Sequence, residues 1–127
     1  MRYALLLHYP EMTADELGAE ALAEGMRAFD DYAKALDAAG VLISAEVLQP
    51  SSLTTTVTAA NGALQVQDGP FADTKEQLGG TFVIQVDNLD DAIAWAGRAP
   101  SAQYGSVEVR PSGTYFADGA WQAFDYR

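Results

Sequence analysis

The stretch RYALLLHY, residues 2–9, opens the chain with strand-forming residues that are apolar at both parities. In an extended backbone Tyr3, Leu5, Leu7 and Tyr9 point one way, and Ala4, Leu6 and His8 point the other. A strand that is apolar on both faces is covered on both faces. The chain's own helices should supply one cover. The second has to be another layer or another subunit.

Working outward from that strand, TADE (13–16) starts a helix, because Thr13 as N-cap and Glu16 three residues later form a capping box. Leu22, Met26, Phe29, Ala33 and Leu36 recur at spacings of three and four, which predicts one apolar helix face ending at Gly40. Asp30, Asp31, Lys34 and Asp37 lie away from that stripe and are expected in water. VLISAEVL (41–48) reads as a second strand. LTTTVTA (53–59) and ALQVQ (63–67) flank Asn61-Gly62, a pair that readily takes the positive φ angles of a tight hairpin turn. TFVIQV (81–86) is a further strand, NLDDAIAWAGRAP (88–100) a short helix capped by Asn88, and YGSVEVRP (104–111) a final strand. An aromatic tail holding Tyr115, Phe116, Trp121, Phe124 and Tyr126 follows over residues 113–127 and is expected to dock on the domain or on a partner.

With the hairpin set aside, the order is βαββαβ, the split-βαβ or ferredoxin-like arrangement of the α+β class. Both helices then lie on one face of an antiparallel sheet. The other face is left bare, in keeping with the two-sided first strand, so a homodimer packed through its sheets is the expected assembly.

Composition removes several function classes. Eighteen acidic residues against seven basic ones give a net charge of −11, which opposes binding to nucleic acid or to anionic membrane. The absence of cysteine excludes disulfides, thiolate metal sites and cysteine nucleophiles. His8 is the one histidine, so a multi-histidine metal site cannot form within one chain, and neither metal nor cofactor is expected. The apolar run near the N-terminus is too short for a signal peptide or a membrane span, so a cytoplasmic location is expected.

The segment QDGPFADTKEQLGG (67–80) admits two readings. As architecture, Asp68-Gly69-Pro70 is turn chemistry, Phe71 plugs the core beneath it, and Gly79-Gly80 admits a close backbone approach. As chemistry, Asp68 is held rigidly at a strand end beside a buried aromatic, where partial desolvation suits a carboxylate to proton transfer. His8 is the only imidazole for acid–base work near neutral pH. Arg110 could hold an anionic group, although pairing with Glu108 on the same strand face is the favoured reading. Tyr3, Tyr9 and Tyr32 are either core or pocket-lining.

DGPFADTKEQLGG, followed by VDNLDDAIAWAGRAP and YGSVEVRP, resembles the DGPF branch of the YCII-related family, and MRYALLLHY and LDAAGVLISAEVLQP resemble it too. The resemblance runs over residues 1–112 and implies a ferredoxin-like α+β fold that dimerises through its sheets, the dimeric α–β barrel. Activity in the wider family is inferred from a His–Asp pair in a cleft. Its aspartate corresponds to Asp68, whereas Phe29 stands at the histidine's place on the first helix, so His8 would have to substitute. A haem is disfavoured, because His8 would have to be its proximal ligand.

Two functions are expected from this. The first is a cofactor-free isomerase, lyase or hydrolase acting on a small organic acid or lactone. Asp68 and His8 would be catalytic, and Tyr9, Phe29, Tyr32, Phe71 and Arg110 would shape the substrate site. The second is a non-catalytic small-molecule-binding or regulatory dimer. The resemblance lends it weight, since DGPF proteins are often encoded beside alternative sigma factors.

Overall fold

A computed structural model describes residues 1–123; Phe124 and Tyr126 of the tail lie outside the described residues. Along the chain run β1 (Arg2–Tyr9), α1 (Ala14–Leu17), α2 (Ala19–Ala38), β2 (Leu42–Val47), β3 (Thr55–Ala60), β4 (Ala63–Asp68), β5 (Gln77–Gln85), α3 (Leu89–Gly97) and β6 (Ser106–Pro111). A small hairpin of β7 (Phe116–Ala117) and β8 (Ala120–Trp121) follows.

Four strands make one antiparallel sheet in the order β2-β5-β1-β6. That is the ferredoxin-like order, with β1 in the interior although it comes first in the chain. Strands β3 and β4 pair only with each other. Asn61 and Gly62 take the positive φ angles of 52° and 77° that the hairpin turn requires.

The core lies between the sheet and its helices. Tyr3, Leu5 and Leu7 of β1 sit beside Phe82 and Ile84 of β5, under Tyr32 and Leu36 of α2 and Ala92 and Ala96 of α3. Leu36 is wholly buried, and burial of such a side chain contributes about 1.5–3 kcal/mol. The opposite face of the two central strands, carrying Ala4, Leu6, His8, Thr81 and Val83, is only half-buried.

The first helix differs from its sequence reading. The capping box is present, with Glu16 N–H donating to Thr13 Oγ1 at 3.1 Å and Thr13 N–H donating to Glu16 Oε1 at 3.4 Å. It caps only the single turn of α1, because Gly18 at φ 87° breaks the helix before α2 begins. The apolar stripe packs through Phe29, Ala33 and Leu36, while Leu22 and Met26 remain exposed in the first turns of α2. Periodicity identifies a helix face, but it does not say how far the sheet beneath that face extends. On the outer surface Lys34 pairs with Asp30 at 2.7 Å, and Asp31 and Asp37 lie in water, as their positions require.

Strand β5 begins four residues earlier than its apolar run. Leu7 opposes Gly80 and His8 opposes Leu78, so Gly79 is the extra residue of a β-bulge. In the tail, Tyr115 lies beneath the Arg2 guanidinium, 3.5 Å from ring centroid to Cζ. Phe116 and Trp121 face each other across the small hairpin, 5.5 Å apart and edge to face. Among the described residues no helix is long and apolar enough to cross a membrane.

Candidate functional site

The DGPF segment is fastened to the base of the β3–β4 hairpin. Gly69, at φ 99°, donates its N–H to Thr54 O at 2.7 Å, and its carbonyl accepts from Thr56 Oγ1 at 2.7 Å. Pro70 follows and turns the chain. Phe71 does not plug the core: it is 93% exposed, because bonding through the Gly69 peptide directs the loop outward. The residue that holds the loop is Gln77. It is 9% exposed, and its side-chain Nε2 donates to Thr74 O at 3.1 Å, with Ala72 O and Asp73 Oδ1 each 3.4 Å away. Gly79 then leaves room for the Tyr9 ring, whose hydroxyl donates to Gly79 O at 3.1 Å. Gly80 carries the close approach to β2, where an added Cβ would stand 3.0 Å from Glu46 O.

Between this loop, the hairpin base and the open sheet face lies a concavity of about 1240 Å³. Leu48, Leu53, Val57, Pro70, Phe71 and Leu78 give it apolar walls. Its polar end is built by strand register. Ser106 pairs across from His8, and Glu108 across from Leu6, so Ser106, Glu108 and His8 share the open face. His8 Nε2 lies 2.5 Å from Glu108 Oε1, as a charge contact without the alignment of a hydrogen bond. Ser106 Oγ donates to Glu76 Oε1 at 3.1 Å. Lys75 stands at the rim.

The His8 side chain is 26% exposed and that of Glu108 is 60% exposed. A pair so open to water adds little to stability. What the arrangement can do is chemical: a carboxylate beside an imidazole stabilises the imidazolium formed when the ring takes a proton. The rim near Pro50 is fixed by Glu11, whose Oε2 accepts from Ser51 N–H at 2.6 Å while its Oε1 accepts from the Ser51 hydroxyl.

The sequence-predicted residues fall in different places. His8 and Phe71 line the concavity. Asp68 is exposed at the end of β4, opposite Thr55, and is not part of that lining; the carboxylate beside His8 is that of Glu108. The expected Arg110–Glu108 pair does not form. Glu108 turns to His8, and among the described residues no carboxylate lies within 4.0 Å of Arg110.

Tyr9, Phe29 and Tyr32 lie outside the concavity's lining. Tyr9 packs on Phe29 and Tyr104, with ring centroids 6.5 and 6.0 Å away. Burial raises the Tyr9 phenol above its usual range, and Tyr104 and Glu11 add to the effect. Tyr32 is a core residue donating to Trp95 O at 2.8 Å; burial pushes it up to about 12, with Arg98 opposing. Both phenols therefore stay protonated near neutral pH. Tyr32 also borders a second, smaller groove of about 550 Å³ between α2 and the turn Pro100–Gln103.

Glu108, Ser106, Glu76 and Gln77 escape sequence reasoning as site residues. Their signal is the pairing of β1 with β6 and β5, which joins segments some hundred and some seventy residues apart. Among the described residues, no group of three or more His, Asp or Glu side chains is arranged to hold a metal ion.

Comparison with known proteins agrees with this geometry at the level of the fold. The YCII-related domain matches residues 1–112, from the first strand through the last strand of the sheet. An uncharacterised protein of Rhizobium meliloti (strain 1021) is 34% identical over 117 residues, covering 91% of this chain and 94% of that protein. The matched span contains the sheet, the bulge at Gly79 and the whole DGPF segment, and on that basis the chain belongs to the YCII-related family.

Proposed function

We propose that the concavity is the active site of a cofactor-free acid–base enzyme, an isomerase, lyase or hydrolase, acting on a small uncharged carbonyl compound such as a lactone or ketone. The observation that carries this reading is the contact of His8 with Glu108 at the polar end of a cavity walled by Leu48, Leu53, Val57 and Leu78. His8 takes a proton from carbon next to the carbonyl, or from an attacking water, and Glu108 stabilises the imidazolium that results. Lys75, at the cavity wall, donates a hydrogen bond toward the substrate oxygen, while the Ser106 hydroxyl proton is held by Glu76.

Of the two substrate classes expected from sequence, charge favours the neutral one. Glu76 and Glu108 face the cavity, and Arg110 is not part of its lining. A carboxylate ligand would also approach against a net charge of −11. Asp68 takes no part in the proposed chemistry and serves the turn.

The assembly proposed with this activity is a cytoplasmic homodimer formed through the open sheet face. Its support is the stripe of Ala4, Leu6, Thr81 and Val83 along the two central strands, flanked at the sheet edges by Ser44, Glu46, Glu108 and Arg110. An apolar centre within a polar rim is the anatomy of a protein interface.

The test is a thermal-shift comparison of δ-valerolactone, cyclohexanone and benzoate on wild type, His8→Gln and Asp68→Asn. A neutral carbonyl compound should stabilise wild type and Asp68→Asn but not His8→Gln. Stronger stabilisation by benzoate, or a response that survives His8→Gln and is lost in Asp68→Asn, would overturn the assignment.

A further inference from the structure

The β3–β4 hairpin has no counterpart in the βαββαβ frame, and it does not join the sheet. Its register sorts its side chains onto two faces. Val57 with Val66 and Ala59 with Leu64 share one face; Thr56 with Gln67 and Thr58 with Gln65 share the other. The apolar face is unburied: Val57 is 58% exposed, Val66 60% and Leu64 68%. A lone two-stranded hairpin is at best marginally stable in water, so one that shows its apolar face to solvent lacks a contact surface.

Val57 belongs to that apolar face and also lines the concavity in front of the open sheet face. The hairpin base and the open sheet face therefore border one continuous space. We infer that a second copy of this chain fills it, with each hairpin acting as an arm that packs Val57, Leu64 and Val66 onto the partner and closes the mouth of the partner-facing concavity. The inference rests on the sheet-face dimer proposed above and adds to it a claim about the site: the His8–Glu108 concavity is complete only in the dimer.

Size favours a second copy. Four strands spaced about 4.8 Å apart and about 20 Å long offer roughly 400 Å² in outline. A stable interface needs on the order of 800 Å² per partner. The hairpin face, two strands wide and of similar length, enlarges the footprint by about half.

The experiment is sedimentation equilibrium over a dilution series on wild type and on the triple variant Val57→Ser, Leu64→Ser, Val66→Ser, with circular dichroism to verify the sheet and helices. The expected result is a wild-type dimer and a folded variant whose dissociation constant rises at least 100-fold. A folded variant that dimerises as tightly as wild type overturns the arm while leaving the sheet-face dimer standing. A wild type that stays monomeric at 100 μM overturns both.

Should the triple variant fail to fold, Leu64→Cys carrying a photo-cross-linker answers the same question, since the natural chain has no other thiol. Cross-links to the open face or hairpin of the other copy are expected. Cross-links confined to the same copy overturn the arm.

Discussion

Replacing Gly79 by alanine tests the local logic of the bulge. A Cβ at this position would fall inside the Tyr9 ring, against Cζ and the hydroxyl oxygen, with Cε1 only 2.6 Å away. Neither side yields freely. Gly79 is the bulge residue near the start of β5, fixed between the Leu78 and Gly80 pairings with β1, and Tyr9 is held by its hydroxyl bond to Gly79 O and by its ring contacts with Phe29 and Tyr104. Forcing the ring aside loses a hydrogen bond of about 1 kcal/mol. Weakening two aromatic contacts costs about 0.5–1 kcal/mol each, and overpacking adds about 1 kcal/mol.

The expected loss is about 3 kcal/mol, or about 10 °C in Tm for a chain of this size. Urea unfolding should show a lower midpoint at unchanged slope, because the protein remains two-state and equally compact. The cause is checked by repeating the substitution in a Tyr9→Ala background. There the same change should cost under about 1 kcal/mol, giving a coupling energy near 2 kcal/mol. A Gly79→Ala protein as stable as wild type, or an equal loss in both backgrounds, would show that the Tyr9 ring does not dictate glycine here.

Gly25 offers the opposite case. It lies within α2 with open space around an added Cβ, so Gly25→Ala should raise stability by about 0.5–1 kcal/mol in urea unfolding, and a loss would refute this. Tyr32 predicts a pH dependence. Its folded value of about 12 exceeds the ordinary 10.0, so the folded state holds the proton more tightly. Its contribution is complete below pH 10 and is lost as pH rises toward 12. Tyr32→Phe should therefore be less stable than wild type at neutral pH, having lost the bond to Trp95 O, and the gap should narrow above pH 10; a constant gap would contradict the assignment. Ser101 is fully buried and its hydroxyl has no partner among the described residues, so Ser101→Ala should be neutral or stabilise by up to about 1 kcal/mol, and a loss above 1 kcal/mol would reveal an interaction at that hydroxyl.

What could be read from the sequence follows the range of the forces involved. Short-range signals identified the elements: Thr13 and Asn88 as caps, Asn61-Gly62 as the hairpin turn, and the two-sided β1 that anticipates a helix-covered face and an open one. The ferredoxin-like order follows from those elements, because few topologies accommodate βαββαβ. The site depends on pairings between distant segments, and one sequence does not carry them. Glu108 stands two residues from Arg110 in the chain, yet β1–β6 register places it beside His8. Phe71 looks like a core aromatic by composition, but the bonding of Gly69 to the hairpin base sends it into solvent. Gln77 gives no motif signal, since its role is to satisfy three acceptors of the preceding loop.

The most direct test of the active-site assignment uses the single histidine. Protein labelled with ¹³C at histidine Cε1 gives one imidazole resonance, that of His8, free of overlap. Titration with δ-valerolactone or cyclohexanone should move that resonance saturably in wild type. The movement should be lost in Leu78→Trp, which fills the cavity wall next to the bulge residue Gly79, while Asp68→Asn behaves as wild type. A compound that raises Tm yet leaves the His8 resonance unmoved would place the ligand elsewhere and contradict the account.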